Sequence, residues 1–221
     1  TKMATALMEI DLKNACLAVV GATGSIGGAC AQILAPEVGK VRLVGRNKER
    51  LTQVTEKVRT LTSAEVIATD DISASLREAD IVITVTGAID CVIHPEDIKR
   101  GAVVCDVARP RDVSKLVSEV RNDVLVIDGG VVKVPGEVNF NFNFGLPKGM
   151  AEGCMAETMI LTLEKRYENY TLGKDISIRK AKEMNELAKK HGFKVAALRR
   201  FERAITPSQI EQVKLNAKIK S

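Results

Sequence analysis

At 221 residues, 45% hydrophobic and 28% charged, the chain has the composition of an ordinary globular protein able to bury a core. Its net charge of +5 is mild and spread along the sequence, with no basic-aromatic cluster or zinc-finger spacing, so no nucleic-acid partner is expected. No apolar stretch approaches the ~20 residues of a membrane span, no signal peptide is visible, and five cysteines without a C-x-x-C pair fit reduced thiols, not a disulfide framework or metal site; a cytoplasmic protein is expected.

Residues 1–14 read as a helical lead-in, with a helix over residues 3–12. The first strand comes so early that a fragment is expected, with a substrate domain missing upstream. The apolar run 15–20 then reads as a strand buried on both faces, and it stops at Gly21. Gly21, Gly24 and Gly27 fall three apart. Gly21 permits a sharp turn, Gly24 a close approach of backbone to ligand, and Gly27 close packing of a following helix. With Ala22, Thr23, Ser25 and Ile26 they form a strand-turn-helix whose free N–H groups and helix dipole suit the pyrophosphate of a dinucleotide. The spacing G-x-x-G-x-x-G departs from the commoner G-x-G-x-x-G.

Residues 40–44 supply the second strand, followed by Gly45-Arg46-Asn47-Lys48. An NAD site has an acid about 20 residues after the glycines to accept from the ribose hydroxyls. Here Arg46, Asn47 and Lys48 offer donors and positive charge, which suits the 2′-phosphate of NADP; the plainer reading is a solvated turn. Residues 47–61 carry Leu51, Val54, Val58 and Leu61 at helical spacing, with Asn47 as N-cap. A strand over 65–69, a helix over 73–79 and a strand over 80–86 follow. The last of these ends in Thr86-Gly87-Ala88, either under the cofactor or simply as a polar strand end.

His94 opens a short helix, where it is a turn residue or a general base; strands over 101–107 and 124–127 complete the alternation. The rhythm predicts an α/β fold, a doubly wound parallel sheet of the Rossmann NADP-binding type over 15–148, with C-terminal helices and a peripheral tail over 149–221. Residues 138–144 alternate Asn with Phe and hold three of the five phenylalanines. Period two predicts an extended segment with one apolar face, an arm packed on the domain or a wall of a substrate cleft. A helix over 150–167 places Cys154 near its N-terminus, where the dipole favours thiolate; the thiol is a nucleophile or an inert packing residue. A helix over 177–191 ends on His191-Gly192, read as a C-cap, and the tail after Arg199, with Lys214, Lys218 and Lys220, reads as a partly frayed helix. Arg109, Arg111, Lys133 and Lys148 are expected in loops on the cofactor side, able to attract an acidic carrier or a carboxylate.

Taken together, residues 19–27, then Gly45-Arg46-Asn47 with Glu49-Arg50-Leu51, residues 128–132, Cys154 in Gly-Cys-Met-Ala-Glu-Thr-Met, and Lys190-His191-Gly192-Phe193 resemble the cyanobacterial long-chain acyl-(acyl carrier protein) reductases, over roughly residues 14–198. That family is similar to shikimate dehydrogenase and glutamyl-tRNA reductase. The resemblance implies an NADPH-dependent reduction of an acyl thioester to an aldehyde through a cysteine-bound acyl-enzyme. It puts the nucleophile on Cys154, the phosphate-binding glycines on Gly21, Gly24 and Gly27, and Gly129 and Gly130 within the cofactor-binding set. The absent N-terminal domain, residues 138–144 and the tail beyond Leu198 depart from the family and leave a sister group with another substrate open. Two alternatives stand beside it: an NADP-dependent alcohol or amino-acid dehydrogenase of shikimate type with Cys154 structural, and a non-catalytic NADPH-binding module. The expected partners are a small-molecule or acyl-carrier thioester, with no metal, and a homo-oligomer is open.

Overall fold

The computed structural model describes residues 1–143, 145–171, 173 and 176–219. Six strands, β1 (Cys16–Val20), β2 (Lys40–Val44), β3 (Glu65–Thr69), β4 (Ile81–Thr84), β5 (Val103–Asp106) and β6 (Leu125–Asp128), form one sheet in the order β3-β2-β1-β4-β5-β6, every pair parallel. The order reverses between β1 and β4. At such a switch point the two adjoining crossovers leave on opposite sides and open a crevice at the carboxyl ends of the strands.

Successive side chains of a strand point to opposite faces, so each strand serves two cores. Leu17, Val19, Ile81, Ile83, Leu125 and Ile127 pack on one face beneath α1 (Lys2–Leu7) and α2 (Ser25–Leu34). Ala18, Val20, Val82, Val104 and Val126 pack on the other, with Leu76 of α4 (Ile72–Glu78) and Val117 of α5 (Lys115–Val120). The crossover from β2 to β3 is α3 (Lys48–Arg59). Beyond β6, β7 (Val131–Lys133) pairs antiparallel with β8 (Met150–Glu152) and β9 (Lys194–Val195). This small sheet and helices α6 (Gly153–Leu163) and α7 (Ile178–Lys190) share a third cluster around Val134, Ala151, Ile160 and Phe193.

Four expectations are corrected. The lead-in helix stops at Leu7, because Glu9 takes φ +57. The helix expected over 150–167 yields its first residues to β8 and ends at Leu163, ahead of Lys165 at φ +55. Residues 138–143 form no strand: the Asn139 and Asn143 side chains accept from the N–H groups of Asn141 and Gly145, and Asn141 sits at φ +51, so local side-chain turns override the period-two pattern. Val138 and Phe140 still pack on the third cluster, whereas Phe144 lies outside the described residues.

The tail is no frayed helix. A hairpin of β10 (Arg199–Arg200) and β11 (Arg203–Ala204) leads to α8 (Pro207–Lys218), which opens with a capping box of Thr206 and Gln209 and buries Ile210 and Val213 in the first core. Lys214 and Lys218 pair with Glu9, and Arg100 donates to the carbonyls of Asn216 and Ile219 at 2.8 and 2.7 Å. Lys220 lies outside the described residues.

A half-buried ion pair, Arg121 with Asp123, braces the start of β6. Arg121 forks onto Asp123 at 2.8 and 2.9 Å and donates to the carbonyls of Pro95 and Ile98. The Arg121 bonds hold the Asp123 carboxyl below its usual range, so the pair's contribution is present above the unfolded carboxyl pKa and is lost as pH falls through the folded one. Asp123→Asn is expected to cost about 2 kcal/mol at neutral pH. Melting curves of the two proteins should converge as pH drops toward the acid limb; parallel curves at every pH would contradict the assignment.

Candidate functional site

The turn after β1 is built around two glycines, Gly21 and Gly27, that tolerate no side chain. Gly21 takes φ +86, and a Cβ there would stand 2.4 Å from the Val85 carbonyl oxygen. The N–H groups of Gly21 and Ala22 both donate to the Val44 carbonyl at 3.0 Å, which locks the turn to the end of β2. A Cβ on Gly27 would come within 2.3 Å of the Gly21 oxygen, so α2 lies directly against the turn it follows. Gly24 is the N-cap of α2 and has no side chain to cap it, leaving the first-turn N–H groups for a ligand.

A cleft of 280 Å³ opens here at the switch point. Gly21, Thr23, Gly24, Arg46, Thr86, Gly87 and Ala88 line it, so three separate segments of the sequence meet in one place. The other expected residues stand around it in different ways. Ala22 and Gly27 are buried behind the turn, and Ser25 and Ile26 open α2, with Ile26 turned to solvent. Asn47 accepts from the Arg50 N–H at 2.9 Å, so its side chain caps α3, and Lys48 is exposed outside the lining.

Sequence reasoning passed over four positions. Arg50 lines the cleft from the first turn of α3, beside Arg46, and Asp70 and Ile72 form the wall after β3. Gly45 is also required, because a Cβ there would lie 2.6 Å from Cγ2 of Thr23. The signal for Arg50 was present, since the N-cap at Asn47 fixes the helix phase; which way the first turn faces was not. After β2 the cleft is lined by Arg46 and Arg50, and its one lining carboxylate among the described residues, Asp70, follows β3. Glycine cradle and uncapped helix together fit the pyrophosphate of a dinucleotide.

Gly129 and Gly130 lie elsewhere, at the end of β6, where they line a separate apolar cleft with Ile83, Cys105 and Ile127. Gly129 packs against Val107 and Cys105 and donates to the Asp106 carbonyl at 2.7 Å, and Gly130 accepts from the Gly153 N–H at 2.7 Å. That bond ties the start of α6 to the carboxyl edge of the sheet. Cys154 is the second residue of α6, exposed, and not in the lining of the nucleotide cleft. The thiols inside the fold differ: burial pushes Cys30 up to about 11 and also raises Cys16 and Cys105, which makes them inert. His94 is an exposed cap of a single helical turn, and His191 caps α7 with its ring against Glu164. Among the described residues no group of three or more His, Cys, Asp or Glu could hold a metal ion.

Arg111 is not a free charge on the cofactor side. It reaches Asp128 at 3.3 Å and Glu202 at 3.5 Å, and its guanidinium stands 5.3 Å from the Phe201 ring centre. Phe201 and Glu202, at φ +48 and +68, donate their N–H groups to Asp128 at 3.2 and 2.8 Å. Asp128 therefore holds a strained hairpin tip in place. Asp128→Ala is expected to destabilise the protein by about 2–4 kcal/mol and to raise amide exchange across residues 199–204; unchanged exchange there would contradict this role.

Six parallel strands in this order, with the glycine turn and the cleft at the switch point, define a nucleotide-binding domain of Rossmann type. The chain belongs to the shikimate / quinate 5-dehydrogenase family, whose model matches residues 2–128. It is 32% identical over 215 residues to aminotransferase PigE of Serratia sp., covering 94% of this chain and 24% of that protein. It is 30% identical over 200 residues to the long-chain acyl-(acyl-carrier-protein) reductase of Synechococcus elongatus, covering 86% of this chain and 56% of that one. A glutamyl-tRNA reductase of Natronomonas pharaonis is 33% identical over 98 residues, 43% of this chain and 21% of that protein. The chain thus spans 24% and 56% of the lengths of the first two relatives. Among the described residues no helix is long and apolar enough to cross a membrane.

Proposed function

We propose that the chain is the NADPH-binding part of a reductase that converts an acyl thioester to an aldehyde, with Cys154 as the thiol that receives the acyl group. The observation that carries the cofactor is the pair Arg46 and Arg50 in the cleft at the end of β2, where an NAD site needs a carboxylate. The exposed position of Cys154 on the first turn of α6 and the likeness to the Synechococcus acyl reductase support its role. The substrate partner is a small-molecule or carrier-bound thioester, enclosed with the help of a further domain or a second copy of the chain.

The Cys154 sulfur, as thiolate, attacks the thioester carbonyl carbon. The tetrahedral oxyanion is met by N–H groups at the start of α6, and the carrier leaves as its thiol once protonated, so the acyl group passes to Cys154 as a new thioester. NADPH, when bound, supplies the hydride that turns this thioester into an aldehyde and returns Cys154 as thiolate. The glycine turn and the two arginines hold the nucleotide, and α6 carries the thiol on the same carboxyl edge of the sheet.

The test is incubation with acyl thioesters without NADPH, read by intact and peptide mass spectrometry beside Cys154→Ala. The expected result is an adduct of acyl mass on Cys154, absent from the variant and discharged as aldehyde when NADPH is added. A chain that binds NADPH and forms no adduct overturns the role of the thiol. One observation favours a second reading, an alcohol or amino-acid dehydrogenase of shikimate type: the family match ends at Asp128, before Cys154, and Cys154 stands outside the nucleotide cleft. On that reading Cys154→Ala keeps full NADP-dependent turnover.

A further inference from the structure

Asp112 touches no solvent and lies outside the lining of the nucleotide cleft, yet it closes the loop that forms one wall of that cleft at both of its ends. Its side chain takes the start of the loop. Oδ2 accepts from the Thr84 hydroxyl at 2.6 Å and from the Thr86 N–H at 2.8 Å, and Oδ1 accepts from the Thr86 hydroxyl at 2.5 Å. Its backbone takes the end, for the Asp112 carbonyl accepts from the N–H groups of Val92 and Ile93 at 2.9 and 3.0 Å. Between these anchors run Thr86, Gly87 and Ala88, all in the cleft lining, and Ile89, which is 89% exposed and packs on nothing that would hold the loop.

The Thr86 hydroxyl is fully committed within the protein. It gives its proton to Asp112 and accepts from the Ala88 N–H at 3.1 Å, so it shapes the loop and has no proton left for a ligand. The backbone just before it sets the glycine turn opposite, because a Cβ on Gly21 would stand 2.4 Å from the Val85 carbonyl oxygen. Holding residues 85–88 in place therefore holds both sides of the nucleotide cleft.

We infer that Asp112 is a positioning residue for dinucleotide binding, acting through Thr86 and the 86–92 loop; this rests on the reading of the cleft as a nucleotide site. Without the carboxylate, the buried Thr84 hydroxyl and the two half-buried Thr86 donors lose their acceptor and the loop closes only part of the time. An apparent dissociation constant rises by the inverse of the closed fraction, so a loop closed one time in ten gives about tenfold weaker binding.

The experiment compares NADPH and NADH affinity, by nucleotide fluorescence well below each melting temperature, for the unsubstituted chain, Asp112→Ala, Thr86→Val, Thr86→Ser and Thr84→Val. Asp112→Ala and Thr86→Val are expected to bind about tenfold more weakly, and Thr86→Ser, which keeps the hydroxyl, to bind as the unsubstituted chain does. Thr84→Val also deprives Asp112 of a donor, but inside β4, and is expected to lower the melting temperature and leave affinity unchanged. Unchanged affinity in Asp112→Ala overturns the inference, as does a matching loss of affinity in Thr84→Val. Should Asp112→Ala fail to fold, Thr86→Val decides in the same way. If the unsubstituted chain binds neither nucleotide, the nucleotide reading and this one fall together, whereas binding that the variants leave intact removes only the positioning role.

Discussion

Gly21→Ala is expected to abolish dinucleotide binding and to destabilise the fold by about 3 kcal/mol or more. The alanine methyl would stand 2.4 Å from the Val85 carbonyl oxygen and 2.9 Å from its carbon, both backbone atoms, at a φ of +86 that L-residues avoid. Relief requires β1 and the β4 exit to part, which also moves the Gly21 carbonyl against which Gly27 packs. Gly24→Ala is the informative companion. Its Cβ would meet only the Gly21 oxygen, at 3.3 Å, and its φ of −79 suits any residue, so the fold should survive. The methyl stands in the cleft where the pyrophosphate approaches the start of α2, and binding should fall while the melting temperature holds. Thermal melts with NADPH titrations read both; a Gly21→Ala protein that melts and binds like the unsubstituted chain would contradict the geometry.

The second large effect is on the choice of cofactor. Removing both cationic groups by Arg46→Ala with Arg50→Ala is expected to weaken NADPH binding by roughly two to three orders of magnitude and to leave NADH binding nearly unchanged. Each charge-assisted bond from guanidinium to phosphate contributes about 1.5–3 kcal/mol in a partly desolvated cleft. Lysine at either position should recover only part of the loss, because it lacks the planar fork. Equal losses for NADPH and NADH would place the two arginines on a shared part of the nucleotide and remove the argument for NADP.

Much of this site was legible in the residues. The strand at 65–69 and the one at 40–44 were read with the limits they have, because each is a β-branched or apolar run bounded by breakers. The glycines announced the turn, Asn47 announced α3, and Arg46 lines the cleft between them. What was hidden depends on contacts distant in sequence. Asp112 meets Thr84 and Thr86 across 28 and 26 residues, and nothing near it marks it as a loop anchor. Arg50 needed the direction of a helix turn, which spacing alone does not fix. Gly129 and Gly130, which the resemblance put in the cofactor-binding set, pack against Cys105 and tether α6 outside the lining of the nucleotide cleft. The Asn/Phe segment misled for a local reason, since asparagines that bond backbone N–H groups two residues on replace a strand with turns. In the tail, which reads as partly frayed from its lysines, neither the capping box of Thr206 and Gln209 nor the burial of Ile210 and Val213 was read from the sequence.

The central claim is that this cleft takes NADPH through Arg46 and Arg50. Parallel equilibrium titrations of the unsubstituted chain with NADPH and NADH, at near-physiological salt, test it most directly. The account predicts NADPH binding tighter than NADH by about 100-fold. Equal affinity, a preference for NADH, or no binding of either would contradict it.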